Sequence, residues 1–322
     1  MLSTVIIARD EARRLPAAIA SVGGLGEVLV CDTGSRDRTI DAALELGATV
    51  TETQWHDDFS AARATAQLSA RFEWIMRMDA DETLVVTRGS AEDWVAAAIS
   101  RAERVDADRI YVLRQYSAAN CHWFPRLFRA SRYRWVQPLH EMIVAVGERR
   151  RTIAATGACF VHRRSARPRG YADMAARHLA LRPSSAHLRY YLARGLWEEE
   201  RQAESIAILR DYLRGPVDYR FHRAEAHRML GVALAEAEPD ESIRHLMEAS
   251  RMDSGRAEAA ADLVRLLLRR GESVEARRWI EFGSDLVAPT ESAPWGGQAY
   301  PYLLEAPAWG SRLWRELWRR SL

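Results

Sequence analysis

The chain is short of the features that commit a protein to an unusual environment. It has three cysteines, Cys31, Cys121 and Cys159, far apart and in no metal-ligand spacing. That excludes a disulfide scaffold or a zinc ribbon and fits thiols used as small core residues in a reducing compartment. No apolar run is long enough to span a bilayer. The opening "STVIIARDEARRL" turns acidic too soon for a signal peptide, so a cytoplasmic location is expected. Neither charge sign dominates: 46 basic residues meet 44 acidic ones for a net +2, which gives no footprint for nucleic acid. What is present, 48% hydrophobic and 28% charged residues in 322 positions, describes a globular chain long enough for two domains.

Strand-like and helix-like patterns alternate in the first half. "TVIIA" (Thr4 to Ala8) is a β-branched run, and the stretch from Glu11 to Val22 places Leu15, Ile19 and Val22 at helical spacing. "EVLVCDTGS" gives a second strand, Val28 to Cys31, and a turn, Asp32 to Ser35. "RDRTIDAALELGATV" gives a helix that Gly47 can cap and a third strand. The Ala-rich "FSAARATAQLSA" then leads into the apolar "WIMRMD". This alternation predicts βαβ units and a mostly parallel sheet, in which ligands bind beyond the carboxyl ends of the strands. Ala8 to Asp10, Asp32 to Ser35 and Asp79 to Glu82 all fall at such ends.

From Tyr171 the sequence is Ala, Leu, Arg and Glu with few β-branched runs, which predicts helices throughout. "YYLARGLWEEERQAESIAIL", "HRMLGVALAEAEPDESIRHL" and "DLVRLLLRRGESVEARRWI" each hold two apolar helices around a polar turn. Their spacing suits a helix–turn–helix repeat of about 34 residues, loosely tetratricopeptide-like. The tail "SRLWRELWRRSL" sets Leu313, Trp314, Leu317 and Trp318 opposite Arg312, Arg315, Arg319 and Arg320. Such a helix either caps the repeats or lies on a membrane surface. The expected domains are 1–166 and 167–322.

"WIMRMDADETL" poses the chemical question. Asp79, Asp81 and Glu82 repel one another unless a cation lies among them. Two carboxylates one residue apart at a strand end can hold a divalent ion and leave positions for phosphate oxygens; a solvated acidic turn is the plainer reading. Asp32 can hydrogen-bond a base or ribose, or serve only as a turn former. Arg63, on the Ala-rich helix, can reach a diphosphate, or be a solvated face residue.

In order and at these separations, "ARDEARRLPAAIASV", "EVLVCDTGSRDRTIDAALELGATV", "WHDDFSAARATA", "WIMRMDADETL" and "RLFRASRYRWVQPLHE" resemble the inverting family 2 glycosyltransferases of the GT-A nucleotide-sugar-binding fold. The resemblance covers about residues 1–165. It is nearest to bacterial lipopolysaccharide-core glucosyltransferases and ribosomal-peptide glycosyltransferases, a subgroup that often carries helical repeats after the catalytic domain. It implies an α/β GT-A domain followed by an all-α domain, a UDP-sugar donor such as UDP-glucose or UDP-N-acetylglucosamine, and Mg2+ or Mn2+. The acceptor it implies is a hydroxyl or thiol of a peptide, saccharide or small molecule.

By the same resemblance Ala8, Arg9, Glu11 and Asp32 lie near base and ribose, Arg63 near the diphosphate, Asp79 on the ribose side, and Asp81 on the metal. Asp79 and His162 are further candidate metal ligands. Glu141 is the candidate base and His140 the second candidate; an imidazole on the metal stays neutral and is a poor base. Two positions depart from the pattern: Asp10 and Ala64 stand where Asn is expected. A nucleotidyltransferase is disfavoured because "ARDEARRL" lacks a glycine-rich phosphate loop. A repeat-based binding scaffold with a non-catalytic nucleotide-sugar domain is the alternative. Homodimerisation through the helical domain and membrane contact through the tail are further expectations.

Overall fold

The computed structural model describes residues 1–117, 120–148, 150–162, 170–216, 219–253 and 257–284. The amphipathic tail from Ser311 therefore lies outside the described residues, and so do the expectations attached to it. The described residues fall into two compact units, the first holding those up to His162 and the second those from Gly170.

The first unit opens with β1 (Leu2–Ala8), α1 (Leu15–Ser21), β2 (Gly26–Asp32), α2 (Thr39–Glu45), β3 (Thr49–Glu52), α3 (Phe59–Leu68) and β4 (Trp74–Asp79). Gly47 follows α2 at φ +77°, a left-handed stop that glycine adopts without strain. β1, β2, β3 and β4 pair in parallel, so their carboxyl ends lie on one edge. Then come β5 (Glu82–Val86), α4 (Ala91–Arg104), β6 (Ala107–Ser117), β7 (Asn120–Arg129), β8 (Tyr133–Val136), β9 (Met142–Ala145) and β10 (Arg151–His162). The eight-stranded sheet has the order β3-β2-β1-β4-β7-β6-β10-β5, and β8 and β9 form a separate hairpin. Antiparallel pairing enters with β7 against β4 and β6, and with β5 against β10. The sheet is therefore mixed.

Both faces of the parallel half are covered. Leu2, Ile6 and Val30 face Leu15, Ala18 and Ile19 of α1, while Val5, Leu29 and Ile75 face Ala66 of α3, Phe128 and Tyr133. α3 also docks on the hairpin through Gln67, which donates to the Ala130 and Tyr133 carbonyls and accepts from Trp135 Nε1 at 2.8 Å.

The second unit is all-helical: α5 (Tyr171–Leu181), α6 (Ala186–Glu198), α7 (Gln202–Arg214), α8 (Arg220–Leu234), α9 (Pro239–Met252), α10 (Ala257–Arg269) and α11 (Ser273–Ser284). The pairs α6–α7, α8–α9 and α10–α11 are the three repeats expected from the sequence. One device recurs in the first two: Ser205 donates to the Ala193 carbonyl and Ser242 to that of Gly231, tying each second helix to its partner. Gly231 lets the two helices approach closely, because a Cβ there would lie 2.7 Å from Leu246 Cγ and displace that side chain. Among the described residues no helix is long and apolar enough to cross a membrane.

Candidate functional site

The carboxyl ends of β1, β2 and β3 are laced together. Thr33 N donates to the Ala8 carbonyl and Thr53 N to that of Asp32, both near 3 Å. Asp10 adopts φ +54°, a left-handed conformation that Asp and Asn tolerate. Its backbone N–H donates to Ser35 Oγ at 2.9 Å, and its Oδ1 accepts from Arg36 N at 2.7 Å. Glu11 N donates to Thr39 Oγ1 at 2.8 Å, and the Glu11 carboxylate pairs with Arg14. Arg9 is exposed at this rim. Asp10 in place of Asn thus keeps the turn and the bond to the second loop.

Asp32 is buried at the end of β2. Its Oδ1 accepts from Gly34 N and Ser35 N, each at 2.8 Å, and its Oδ2 from Ser35 Oγ. In this structure Asp32 is the turn former, and both of its oxygens are engaged.

The cations among the β4-end acids are guanidiniums. The sequence contains no lysine, so every fixed cation of this unit is an arginine. Arg63 is not a solvated face residue: 3% exposed, it ion-pairs with Asp79 and with Glu141 Oε1, the latter at 2.7 Å from Nε. Arg77, inside β4, donates from Nη2 to the same Glu141 oxygen at 2.7 Å, with its guanidinium over the rings of Phe124 and Trp135. Arg114 of β6 reaches Asp79 Oδ2 at 2.8 Å and Glu82 Oε1 at 2.6 Å. Arg126 of β7 closes a two-pronged pair on Glu82, 2.7 Å on each side. The result is an alternating line: Arg77, Glu141, Arg63, Asp79, Arg114, Glu82, Arg126.

The line accounts for the titration behaviour. Burial works to raise Asp79, but the charges of Arg63 and Arg114 outweigh it and hold the carboxyl well below the usual range. Burial likewise opposes the ionisation of Glu82, and Arg126 and Arg114 overcome it. Arg77 is lowered to about 9 by burial and by the facing Arg63, and so stays charged at neutral pH.

Asp81 stands outside this neutralisation. It is pushed up to about 7 by burial first, then by Asp79 and Glu82. Beside it stands His162, whose Nε2 lies 3.3 Å from Asp81 Oδ2. Burial and Arg114 lower His162, which keeps the imidazole neutral near pH 7. Sheet register causes the meeting, since β5 and β10 pair antiparallel with His162 opposite Glu82.

The residues singled out in the sequence gather around this line. Asp79, a candidate metal ligand, has both oxygens in ion pairs with Arg63 and Arg114. Arg63, the candidate diphosphate contact, is committed to Asp79 and Glu141. Asp81 and His162 do come together. Glu141 and His140 sit in the loop between β8 and β9, where Gln137 (φ +72°) and His140 (φ +49°) are left-handed. Phe59 N at the start of α3 donates to the Pro138 carbonyl at 2.9 Å and pins that loop. Ala64 is half-buried on α3. Arg77, Arg114 and Arg126 went unread in the sequence, although an arginine inside each of the apolar runs "WIMRMD", "YVLRQ" and "FPRLF" was the signal.

Comparison with known proteins identifies the family. The family model described as glycosyl transferase family 2 matches residues 3–168. A TPR repeat-containing protein of Synechococcus elongatus is 40% identical over 147 residues, 44% of this chain and 35% of that one. An uncharacterized glycosyltransferase of Rickettsia bellii is 37% identical over 84 residues, 26% of this chain and 28% of that one. This chain spans about a third of the length of these relatives. Among solved structures, S. aureus TarS 1–349 aligns at TM-score 0.41 and 11% identity, over 84% of this chain and 91% of that one. Glucosyl-3-phosphoglycerate synthase of Mycobacterium tuberculosis, in complex with Mn2+, UDP and glucosyl-3-phosphoglycerate, aligns at 0.29 and 18%, over 36% and 44%. The family match takes in every strand of the sheet and all the acids and arginines described above, and it spans more than half of the chain: this protein belongs to glycosyl transferase family 2.

Proposed function

We propose that the protein is a metal-dependent, inverting glycosyltransferase that moves a hexose from a UDP-sugar to a hydroxyl or thiol acceptor. The observation that carries this reading is the Asp81–His162 pair at the sheet edge. A carboxyl that burial and two neighbouring acids push up to about 7 is one that a divalent cation would satisfy. The neutral imidazole beside it is in the form a metal requires. The donor set, one carboxylate and one imidazole, fits Mn2+ better than Mg2+, which prefers oxygen ligands throughout. Among the described residues no group of three or more His, Cys, Asp or Glu is arranged to hold a metal. Diphosphate oxygens and water would therefore complete the shell.

When bound, the ion would offset the negative charge that develops on the departing diphosphate. The remaining tasks fall to the chain. The laced ends of β1 and β2, with Ala8, Arg9, Glu11 and the Asp32 turn, give a rigid floor for the nucleoside. Inversion needs a proton acceptor on the far side of the sugar. Glu141 is anchored through Oε1 by Arg63 and Arg77, and Oε2 has no hydrogen bond among the described residues. We assign Oε2 the task of taking the acceptor proton, with His140 as the second candidate.

Calorimetry of UDP with Mn2+ and in EDTA tests the reading. Binding is expected to need the cation in the wild type and to lose that dependence in Asp81→Asn. Equal affinity in EDTA for the wild type would overturn it. Asp32→Ala is expected to weaken UDP while keeping the cation requirement.

A further inference from the structure

Glu82 is the acid that the proposed reaction leaves without a task. It is also the most enclosed carboxylate of the site, with a side chain 0% exposed. Its Oε2 accepts from Asp79 N at 3.0 Å and from Arg126 Nη1 at 2.7 Å. Its Oε1 lies 2.7 Å from Arg126 Nη2 and 2.6 Å from Arg114 Nε. Arg126 is itself wholly buried, lies over the Phe160 ring and donates to the Arg77 carbonyl. One carboxylate thus gathers the last residue of β4, the first of β5, and side chains from β6 and β7. Only Ala80 and Asp81 lie between the two strands it joins.

We infer that Glu82, with Arg114 and Arg126, is a positioning set that fixes the β4–β5 junction so that Asp81 faces His162. Solvent exposure of an acidic turn needs no such set. A turn holding only a solvated Asp81 could be secured by backbone hydrogen bonds, without two buried guanidiniums and the desolvation they cost. The direction is specific as well: the Asp79 N–H bond fixes the near side of Asp81, and the Glu82–His162 register fixes the far side. Moving Asp81 by about 1 Å is enough to lose a ligand, since metal–oxygen distances tolerate a few tenths of an ångström. Arg114 touches both Asp79 and Glu82 and so holds the flanks of Asp81 at a fixed separation.

The inference rests on the metal reading above, and the experiment separates the two. In the full chain, UDP affinity is measured with Mn2+ and in EDTA for the wild type, Glu82→Gln and Arg114→Gln, alongside thermal melting and the electron paramagnetic resonance spectrum of Mn2+ with UDP. Glu82→Gln is expected to bind UDP in EDTA like the wild type and to lose at least 10-fold of the Mn2+-dependent gain. Its Mn2+ spectrum is expected to revert towards that of the ion with UDP alone. A wild type without Mn2+ dependence would overturn the metal reading and this inference with it. A wild type with Mn2+ dependence that both variants keep would overturn the inference alone. So would a loss that falls equally on binding in EDTA, which marks a merely structural role. If Glu82→Gln does not fold, Arg114→Gln, altered at the less buried end of the set, decides by the same readouts.

Discussion

The two units bury different kinds of polar group. Among the described residues, the buried polar side chains of the α/β unit include Asp32, Arg63, Arg77, Glu82, Asp108, Arg114 and Arg126. Those of the helical unit are His187, Ser205, His222, Ser242 and Ser250. No described arginine of the helical unit is fully buried; Arg210 meets Glu238 and Arg201 meets Glu204 at its surface, and its interior is filled with Leu, Ala and Tyr. That is the economical arrangement, because a buried ion pair is often no more stabilising than an apolar pair of the same volume. The line from Arg77 to Arg126 is therefore poorly explained by stability. It lies under the strand ends where the fold presents ligands, which ties it to the site.

Function is where the contrast should show most strongly. Glu141→Gln is expected to lower sugar transfer by about 10² to 10⁴ while UDP affinity stays within a few-fold. A rate near the wild type would reduce Glu141 to an ion-pair member and move the proton acceptor to His140, which His140→Ala then tests. No interior polar substitution in the helical unit, such as Ser205→Ala, should have an effect of this kind.

Stability should separate the units next. Arg126→Met leaves Glu82 buried without its two-pronged partner and is expected to cost about 3–5 kcal/mol in chemical denaturation. Adding Glu82→Gln should return part of that loss. Leu246→Ala in the helical unit should cost a comparable ~2–5 kcal/mol through the cavity it leaves, and no second charge change should relieve it. Failure of the double variant to recover would mean that Arg126 acts by packing against Phe160 and not by charge.

One group in each unit, Asp81 and His227, should respond to pH with opposite sign. Asp81 is raised from 3.8 to about 7, so the folded chain holds a proton that the unfolded chain has released. Its contribution is fully present below about pH 4 and is lost as pH rises to about 7. In the helical unit His227 and His245 face each other with 2.8 Å between their Nδ1 atoms. Burial, then His245 and Arg223, lower His227 from 6.5 to about 4. There the unfolded chain binds the proton first, so stability is whole above about pH 6.5 and is lost as pH falls towards 4. Melting temperatures of Asp81→Asn and His227→Gln across pH 4–8 should each remove one slope and leave the other.

The smallest effect belongs to the repeated tie. Ser242→Ala removes one buried hydrogen bond to the Gly231 carbonyl and should cost about 1 kcal/mol. A much larger cost would mean that the hydroxyl sets the α8–α9 crossing and not only secures it.

Much of the fold was legible because its signals are local. "TVIIA", "VLVC" and "WIMRM" are apolar runs between turn residues, and they became β1, β2 and β4. The polar breaks at Glu198–Gln202, Glu236–Asp240 and Arg269–Ser273 fell between the paired helices. The strand-end acids were legible by position, and Asp81 with His162 by resemblance. The antiparallel half of the sheet was not, because only two residues separate β5 from β4 and yet β5 lies at the far edge, and no local pattern encodes that displacement. Nor was the burial of Arg63: on an Ala-rich helix an arginine reads as solvated unless its partners are known.

By itself, the sequence determined the strand and helix alternation, the change to helical repeats, and a cluster of acids too dense to stand without cations. Each of these depends on neighbours within a turn or two of chain. Which cation answers each acid was decided by tertiary structure alone. Arg63 and Glu141 are 78 residues apart, Glu82 and Arg126 are 44, and Asp79 and Arg114 are 35. Sheet register and the docking of α3 bring these groups within 3 Å, and leave Asp81 beside an imidazole instead of a guanidinium. The physical reason is range: hydrophobic periodicity acts along the chain, whereas a buried charge is neutralised by whatever the fold carries to it.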